Sequence, residues 1–167
     1  MFDRDFKELL SVFDAHGVKY LVVGGYAVSF HAQPRATKDL DLFIKADADN
    51  AAAVYRALSR FGAPLEGLKV EDFMEPETFF RMGQPPLMVD ILPEIKGVDF
   101  DHAWERRVRV PIDADSVLEA LFIGRDDLIA AKLAAGRPQD LADVVALRGA
   151  EGQDARDTGL DSAKPRP

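Results

Sequence analysis

Asp39-Leu40-Asp41-Leu42-Phe43-Ile44 alternates between acidic and apolar side chains. Residues two apart on a strand share a face, so Asp39 and Asp41 project together while Leu40, Leu42 and Ile44 project to the other side. Two carboxylates spaced by about 7 Å, twice the rise per residue, can hold a hard divalent ion between them. Mg²⁺ is usually bound by one or two carboxylates together with substrate phosphates. Phe43 lies on the carboxylate face, which argues against a fully wet surface. A third carboxylate, Asp90, stands in the middle of the apolar run Leu87-Met88-Val89-Asp90-Ile91-Leu92. Met88 and Leu92 share its face, so an unpaired charge there is costly to desolvate and a partner is expected. A metal ion or a buried ion pair meets that need. Three aspartates on two strands match a site for one or two metals, one ion activating a hydroxyl and the other steadying a leaving phosphate.

A second constellation precedes the first. Tyr20-Leu21-Val22-Val23 suits a buried strand, and Gly24-Gly25 ends it. Without Cβ atoms these residues let a ligand approach the backbone. A helix beginning at Tyr26 points its free N–H groups back at the turn and favours phosphate. A tight strand-to-helix turn with no ligand explains the glycines equally simply. Arg35 and Thr37 lie just before the carboxylate strand, where the guanidinium binds a triphosphate, neutralises the aspartates, or forms a structural ion pair within the loop. Lys132 falls on the apolar face of its helix with Leu128 and Ile129, so it either snorkels or reaches an anion.

These motifs, in this order, resemble the polymerase-beta-like nucleotidyltransferase superfamily. The finer pattern is similar to its AbiEii-like branch of small prokaryotic proteins, many of them toxin components. The likeness rests on Gly24-Gly25-Tyr26-Ala27 and on Pro34-Arg35-Ala36-Thr37-Lys38-Asp39-Leu40-Asp41-Leu42. Asp127-Leu128-Ile129-Ala130-Ala131-Lys132 and Arg137-Pro138-Gln139-Asp140-Leu141-Ala142-Asp143-Val144 extend it. The resemblance implies a nucleotidyltransferase fold and Mg²⁺-dependent transfer from a nucleoside triphosphate to an acceptor hydroxyl on an RNA end, a protein or a small molecule. It implies Asp39, Asp41 and Asp90 as catalytic metal carboxylates, with Gly24, Gly25, Tyr26, Arg35, Thr37 and Lys132 around the nucleotide. A toxin-type activity with a cognate antitoxin falls within the same expectation. Many superfamily members carry Ser where Tyr26 stands. That departure supports the alternative of an inactive module that binds nucleotide, RNA or a partner protein.

The elements that position these residues read as α/β, a small mixed sheet flanked by helices with further helices at the C-terminus. Phe6, Leu9, Leu10 and Phe13 recur at helical spacing. Asp47 to Phe61 forms a second helix, capped by Asp47 or Asp49 and stopped by Gly62. A hairpin, Thr78–Met82 turning through Gly83 to Pro86, delivers the Asp90 strand beside Asp39 and Asp41. Arg107 and Arg109 alternate with Val108 and Val110, a solvated strand face or a patch for RNA phosphates. A helix capped by Asp126 or Asp127 runs through Ala135. Pro138 opens the next, with Leu141, Val144, Val145 and Arg148 as its inner stripe and Arg137, Asp140 and Asp143 as an ion-pair lock. The reading is one nucleotidyltransferase domain over 1–148, with a helical part about 126–148, and a disordered tail over 149–167.

The 167 residues include no cysteine, which excludes disulfides and thiolate zinc sites. A net charge of −8 argues against a broadly basic nucleic-acid surface. No segment is long enough to span a membrane and no signal-peptide core opens the chain, so a cytoplasmic location is expected.

Overall fold

The computed structural model describes residues 1–159, with side chains through Ala150. In chain order the elements are α1 (Arg4–Ala15), β1 (Tyr20–Val23), α2 (Gly24–His31), β2 (Asp39–Ile44) and α3 (Ala48–Phe61). A 3₁₀ turn (Val70–Met74) leads to β3 (Phe80–Gln84), β4 (Leu87–Leu92), α4 (Phe100–Glu105), β5 (Val108–Pro111) and β6 (Glu119–Phe122). Helices α5 (Arg125–Ala135) and α6 (Pro138–Gly159) complete the chain. The expected tail of 149–167 overlaps the end of α6 and otherwise lies outside the described residues. No helix among the described residues is long and apolar enough to cross a membrane.

The strands form one six-stranded sheet in the order β3-β4-β2-β1-β6-β5. Pairs β2–β4 and β1–β6 are parallel, and the rest antiparallel. This is the expected mixed α/β architecture. The parallel β2–β4 pair is linked by α3, because parallel neighbours need a long crossover. Asp47 caps α3 by accepting from the Asn50 N–H at 2.7 Å, and Gly62 ends it in the left-handed region at φ +94°. In α1, Phe6, Leu9, Leu10 and Phe13 are all buried. Each contributes about 1.5–3 kcal/mol of burial, so tertiary packing rather than propensity holds this helix.

On β2 the two faces divide as the alternation requires. Leu40, Leu42 and Ile44 are fully buried on one side. On the other, Phe43 meets Phe100 of α4 edge-on at 5.0 Å between centroids. An aromatic residue thus shares the aspartate face because α4 roofs that end of the strand.

Three expectations need correction. β5 starts at Val108, so Arg107 lies before the strand. Its guanidinium sits 4.0 Å over the Trp104 ring and donates to the Trp104 carbonyl at 2.7 Å, while Arg109 faces Glu119 at 3.5 Å. Cation–π attraction divides the two-arginine face. Helix α5 is capped by the Gly124 backbone rather than by Asp126 or Asp127. Asp127 is buried and takes a two-pronged contact from Arg106, at 3.0 and 2.6 Å. On α6 the buried face is Asp140, Asp143, Val144 and Leu147, whereas Leu141 and Val145 are exposed. The carboxylates turn inward because cations from elsewhere in the chain meet them there.

Candidate functional site

The parallel β2–β4 register sets Asp41 opposite Asp90 and Asp39 opposite Met88. Strand β3 sets Arg81 opposite Asp90, and β1 sets Val23 opposite Asp41. One row across the sheet therefore reads Arg81, Asp90, Asp41, Val23, and the chain turns at once into Gly24. Directly paired residues share a sheet face, so the hairpin expected from the sequence does bring Asp90 beside Asp41.

The two carboxyl groups are close enough to hydrogen-bond to each other. Burial, then the charge of Asp90, then that of Asp39, pushes the Asp41 carboxyl up to about 7, against the opposing pull of Lys132. Burial also raises Asp90, with Arg81 working against it and Asp39 adding to it. Asp90 Oδ1 is buried without a hydrogen bond. Arg81 Nε stands 3.2 Å away, an electrostatic contact out of hydrogen-bonding alignment. Asp41 therefore keeps its proton to higher pH in the folded chain than in the unfolded one, unless a cation displaces it. The folded state binds more protons between about pH 4 and 7, so its stability falls as pH rises through that window. Urea unfolding at pH 5 and pH 8 checks this: Asp41→Asn is expected to flatten the difference, and an unchanged difference would sink the assignment.

Gly24 lies in the left-handed region at φ +65°, and a Cβ there would overlap Asp41 Oδ2. The glycine is what lets this carboxylate lie against the turn. At Gly25 a Cβ would stand 2.6 Å from Thr37 Oγ1 and 3.5 Å from Arg35 Nη2. Helix α2 starts at Gly24, earlier than the expected Tyr26, because the glycines themselves take up its first turn. Its opening N–H groups thus belong to the same short stretch that meets Asp41, Thr37 and Arg35.

The remaining expected residues divide. Tyr26 is buried, stacked on Phe2 at 5.2 Å and edge-on to Phe6. Its ring is a core element, although it also borders a shallow hollow with Arg35 and Thr37. Arg35 does not pair within its loop; its Nη1 reaches Asp143 Oδ1 of α6 at 2.6 Å. Lys132 Nζ lies 3.2 Å from Asp140 Oδ1 and 3.0 Å from Asp143 Oδ2. Arg137 Nε closes on Asp140 Oδ2 at 2.7 Å. Burial works against the Asp140 charge, yet hydrogen bonds from Arg137 and Lys132 hold its carboxyl below the usual range. The expected lock of Arg137, Asp140 and Asp143 is therefore a longer alternating chain: Arg35, Asp143, Lys132, Asp140, Arg137.

A cleft of about 270 Å³ opens beside Gly24 and Asp41, with Lys96, Lys132 and Arg137 on its wall and Leu92, Ile95 and Leu128 as its apolar side. The donors on the row suit Mg²⁺ in kind: hard oxygens, a carboxylate pair in mutual repulsion, and one buried oxygen lacking a hydrogen bond. Asp39 is the outlier, half-exposed and 3.2 Å from Arg81 Nη2. As the side chains stand, no three His, Cys, Asp or Glu residues among the described residues are gathered as ligands of one ion. The expected triad is an in-register pair, Asp41 and Asp90, with Asp39 joined to Asp90 through Arg81. Arg81 and Lys96 were missed from sequence. Counting back through the hairpin from its Pro85-Pro86 turn would have set Arg81 opposite Asp90; Lys96 carries no comparable signal.

Comparison with known proteins bears on the family and the fold. A family model described as a nucleotidyltransferase of unknown function, DUF6036, matches residues 1–149. No curated protein matches the sequence. Among solved structures, the lincosamide antibiotic adenylyltransferase LnuA with lincomycin bound superposes with a TM-score of 0.57, at 15% identity over 89% of this chain and 97% of that one. ANT(2")-Ia in complex with adenylyl-2"-tobramycin gives 0.57, at 12% identity over 92% and 91%. An antigenic nucleotidyltransferase-like protein from Paracoccidioides brasiliensis gives 0.50, at 18% identity over 84% and 75%. At these identities the likeness speaks for the fold, which is the one expected from the sequence.

Proposed function

The chain belongs to the DUF6036 nucleotidyltransferases, and from that premise we propose that it transfers a nucleotidyl group from a nucleoside triphosphate to the hydroxyl of a small molecule, with Mg²⁺ and at the cleft beside Gly24 and Asp41. The observation that carries this reading is the in-register Asp41–Asp90 pair lying against the left-handed Gly24. Asp41 and Asp90 are the residues that would hold the cation, joined by Asp39. The bound ion would supply neutralisation of the triphosphate charge and acidify the attacking hydroxyl. The backbone of Gly24 and Gly25 at the start of α2 receives phosphate, with Thr37 and Arg35 beside it. Lys96 and Arg137 add positive charge on the cleft wall. The Asp90 carboxylate takes the proton of the acceptor hydroxyl. The hydroxyl oxygen bonds to the α-phosphorus as its bond to the bridging oxygen breaks, and pyrophosphate leaves. Positioning and charge neutralisation do the catalytic work.

A small acceptor is preferred because the chain carries a net charge of −8, which disfavours a polyanionic partner such as RNA. LnuA and ANT(2")-Ia, of the same fold, hold lincomycin and an adenylylated tobramycin, and by analogy ATP is the donor we would test first. The toxin-type activity suggested by the AbiEii-like motifs would use an RNA or protein acceptor instead. The test is incubation with Mg²⁺ and each α-labelled triphosphate. Hydroxylated antibiotics, total transfer RNA and cell protein are offered as separate acceptors. Label is expected on a small molecule, with pyrophosphate released. Label on RNA or protein would move the acceptor class. Triphosphate bound without any transfer would leave a binding module in place of an enzyme.

A further inference from the structure

Arg81 has no role in the transfer just described, yet it touches two of its three carboxylates. It projects from β3, the outer strand of the sheet. Its stem passes Asp90, its register partner. Its Nε lies 3.2 Å from Asp90 Oδ1 and its Nη2 lies 3.2 Å from Asp39 Oδ2, so one guanidinium bridges β4 and β2. A planar fork meets the two carboxylates with two different nitrogens, whereas a lysine ammonium would have to bring one nitrogen within reach of both. The Arg81 and Asp39 side chains are each nearly half-exposed, at 47% and 46%. Ion pairs so exposed to water are weak, and are readily broken by a competitor carrying a double charge.

We propose that Arg81 is an internal counter-ion that occupies Asp39 and Asp90 in place of a divalent cation and is displaced when the cation binds. The proposal rests on the functional reading above. As the side chains stand, the guanidinium lies between Asp39 and Asp90, where a shared cation would have to sit. Cation binding and guanidinium binding exclude each other at Asp39 and Asp90. The released guanidinium is then free to meet an incoming anion.

Mn²⁺ binding to the full chain, read by electron paramagnetic resonance without triphosphate or acceptor, tests this apart from activity. Arg81→Gln is expected to bind Mn²⁺ about three- to tenfold more tightly than wild type, the scale of exposed ion pairs. Arg81→Lys keeps the charge and loses the fork, and is also expected to bind more tightly. Equal or weaker binding by Arg81→Gln overturns the proposal. So does tighter binding by Arg81→Gln with Arg81→Lys unchanged, since net charge alone would then suffice. If wild type binds Mn²⁺ and Asp41→Asn does not, the functional reading survives either of those failures. If neither wild type nor the Arg81 variants bind Mn²⁺, both readings fall together.

Discussion

Asp41→Asn is expected to lower nucleotidyl transfer by about 10³-fold or more, the consequence of losing several kcal/mol of transition-state charge stabilisation. The same substitution is expected to make the metal-free protein more stable above neutral pH. Asp41 lies beside Asp90, and burial together with that neighbouring charge pushes its carboxyl up to about 7. An amide of the same shape removes the repulsion and the desolvated charge. Loss of activity with gain of stability is a signature that mere damage to the fold cannot produce. Pyrophosphate release and thermal melting at pH 8 measure the two halves. A variant that melts below wild type, or one that keeps a tenth of its transfer rate, would rule out Asp41 as the repelled member of a cation-binding pair.

The second large effect lies behind the cleft. Lys132→Met is expected to destabilise the protein by about 3 kcal/mol, the lower end of the range for breaking a buried ion pair. The Lys132 side chain is 12% exposed, and those of its partners Asp140 and Asp143 are 2% and 4% exposed. Removing the shared cation leaves Asp140 held by Arg137, and Asp143 by Arg35 and Gln139, which is why the lower end applies. For a chain of this length that amounts to about 6–12 °C of melting temperature. Adding Asp140→Asn and Asp143→Asn to Lys132→Met is expected to recover most of the loss. A single variant that melts within 2 °C of wild type would show that Lys132 is not part of the lock and would restore it to the nucleotide.

The parts of this protein that could be read from its sequence are those governed by local period. Asp39 and Asp41 announce a two-residue repeat, as does the lone Asp90 amid apolar neighbours. The α1 and α3 stripes announce a helical repeat. Residues whose placement depends on distant partners could not be read in this way. The inner stripe expected on α6 is Leu141, Val144, Val145 and Arg148, of which only Val144 is buried. Asp140 and Asp143 go inside only because Lys132 comes from α5 and Arg35 from the loop after α2. Tyr26 looked like a substitute for a phosphate-binding serine, whereas Phe2 and Phe6, in and just before α1, claim its ring. Asp39 was grouped with Asp41 by spacing alone, and an arginine on a strand two positions away in the sheet decides where it points.

The parallel pairing of β2 with β4 also has a kinetic meaning. An antiparallel hairpin can close as soon as its turn exists, but a parallel pair waits for the intervening crossover to fold and dock. Asp41 and Asp90 therefore meet only after α3 and the β3–β4 hairpin are in place. During synthesis, a nascent chain that has not yet reached Asp90 carries Gly24, Gly25, Asp39 and Asp41 and no strand partner for Asp41 on its β4 side. Closure of the Asp41–Asp90 pair is thus expected late in folding, after the crossover has docked.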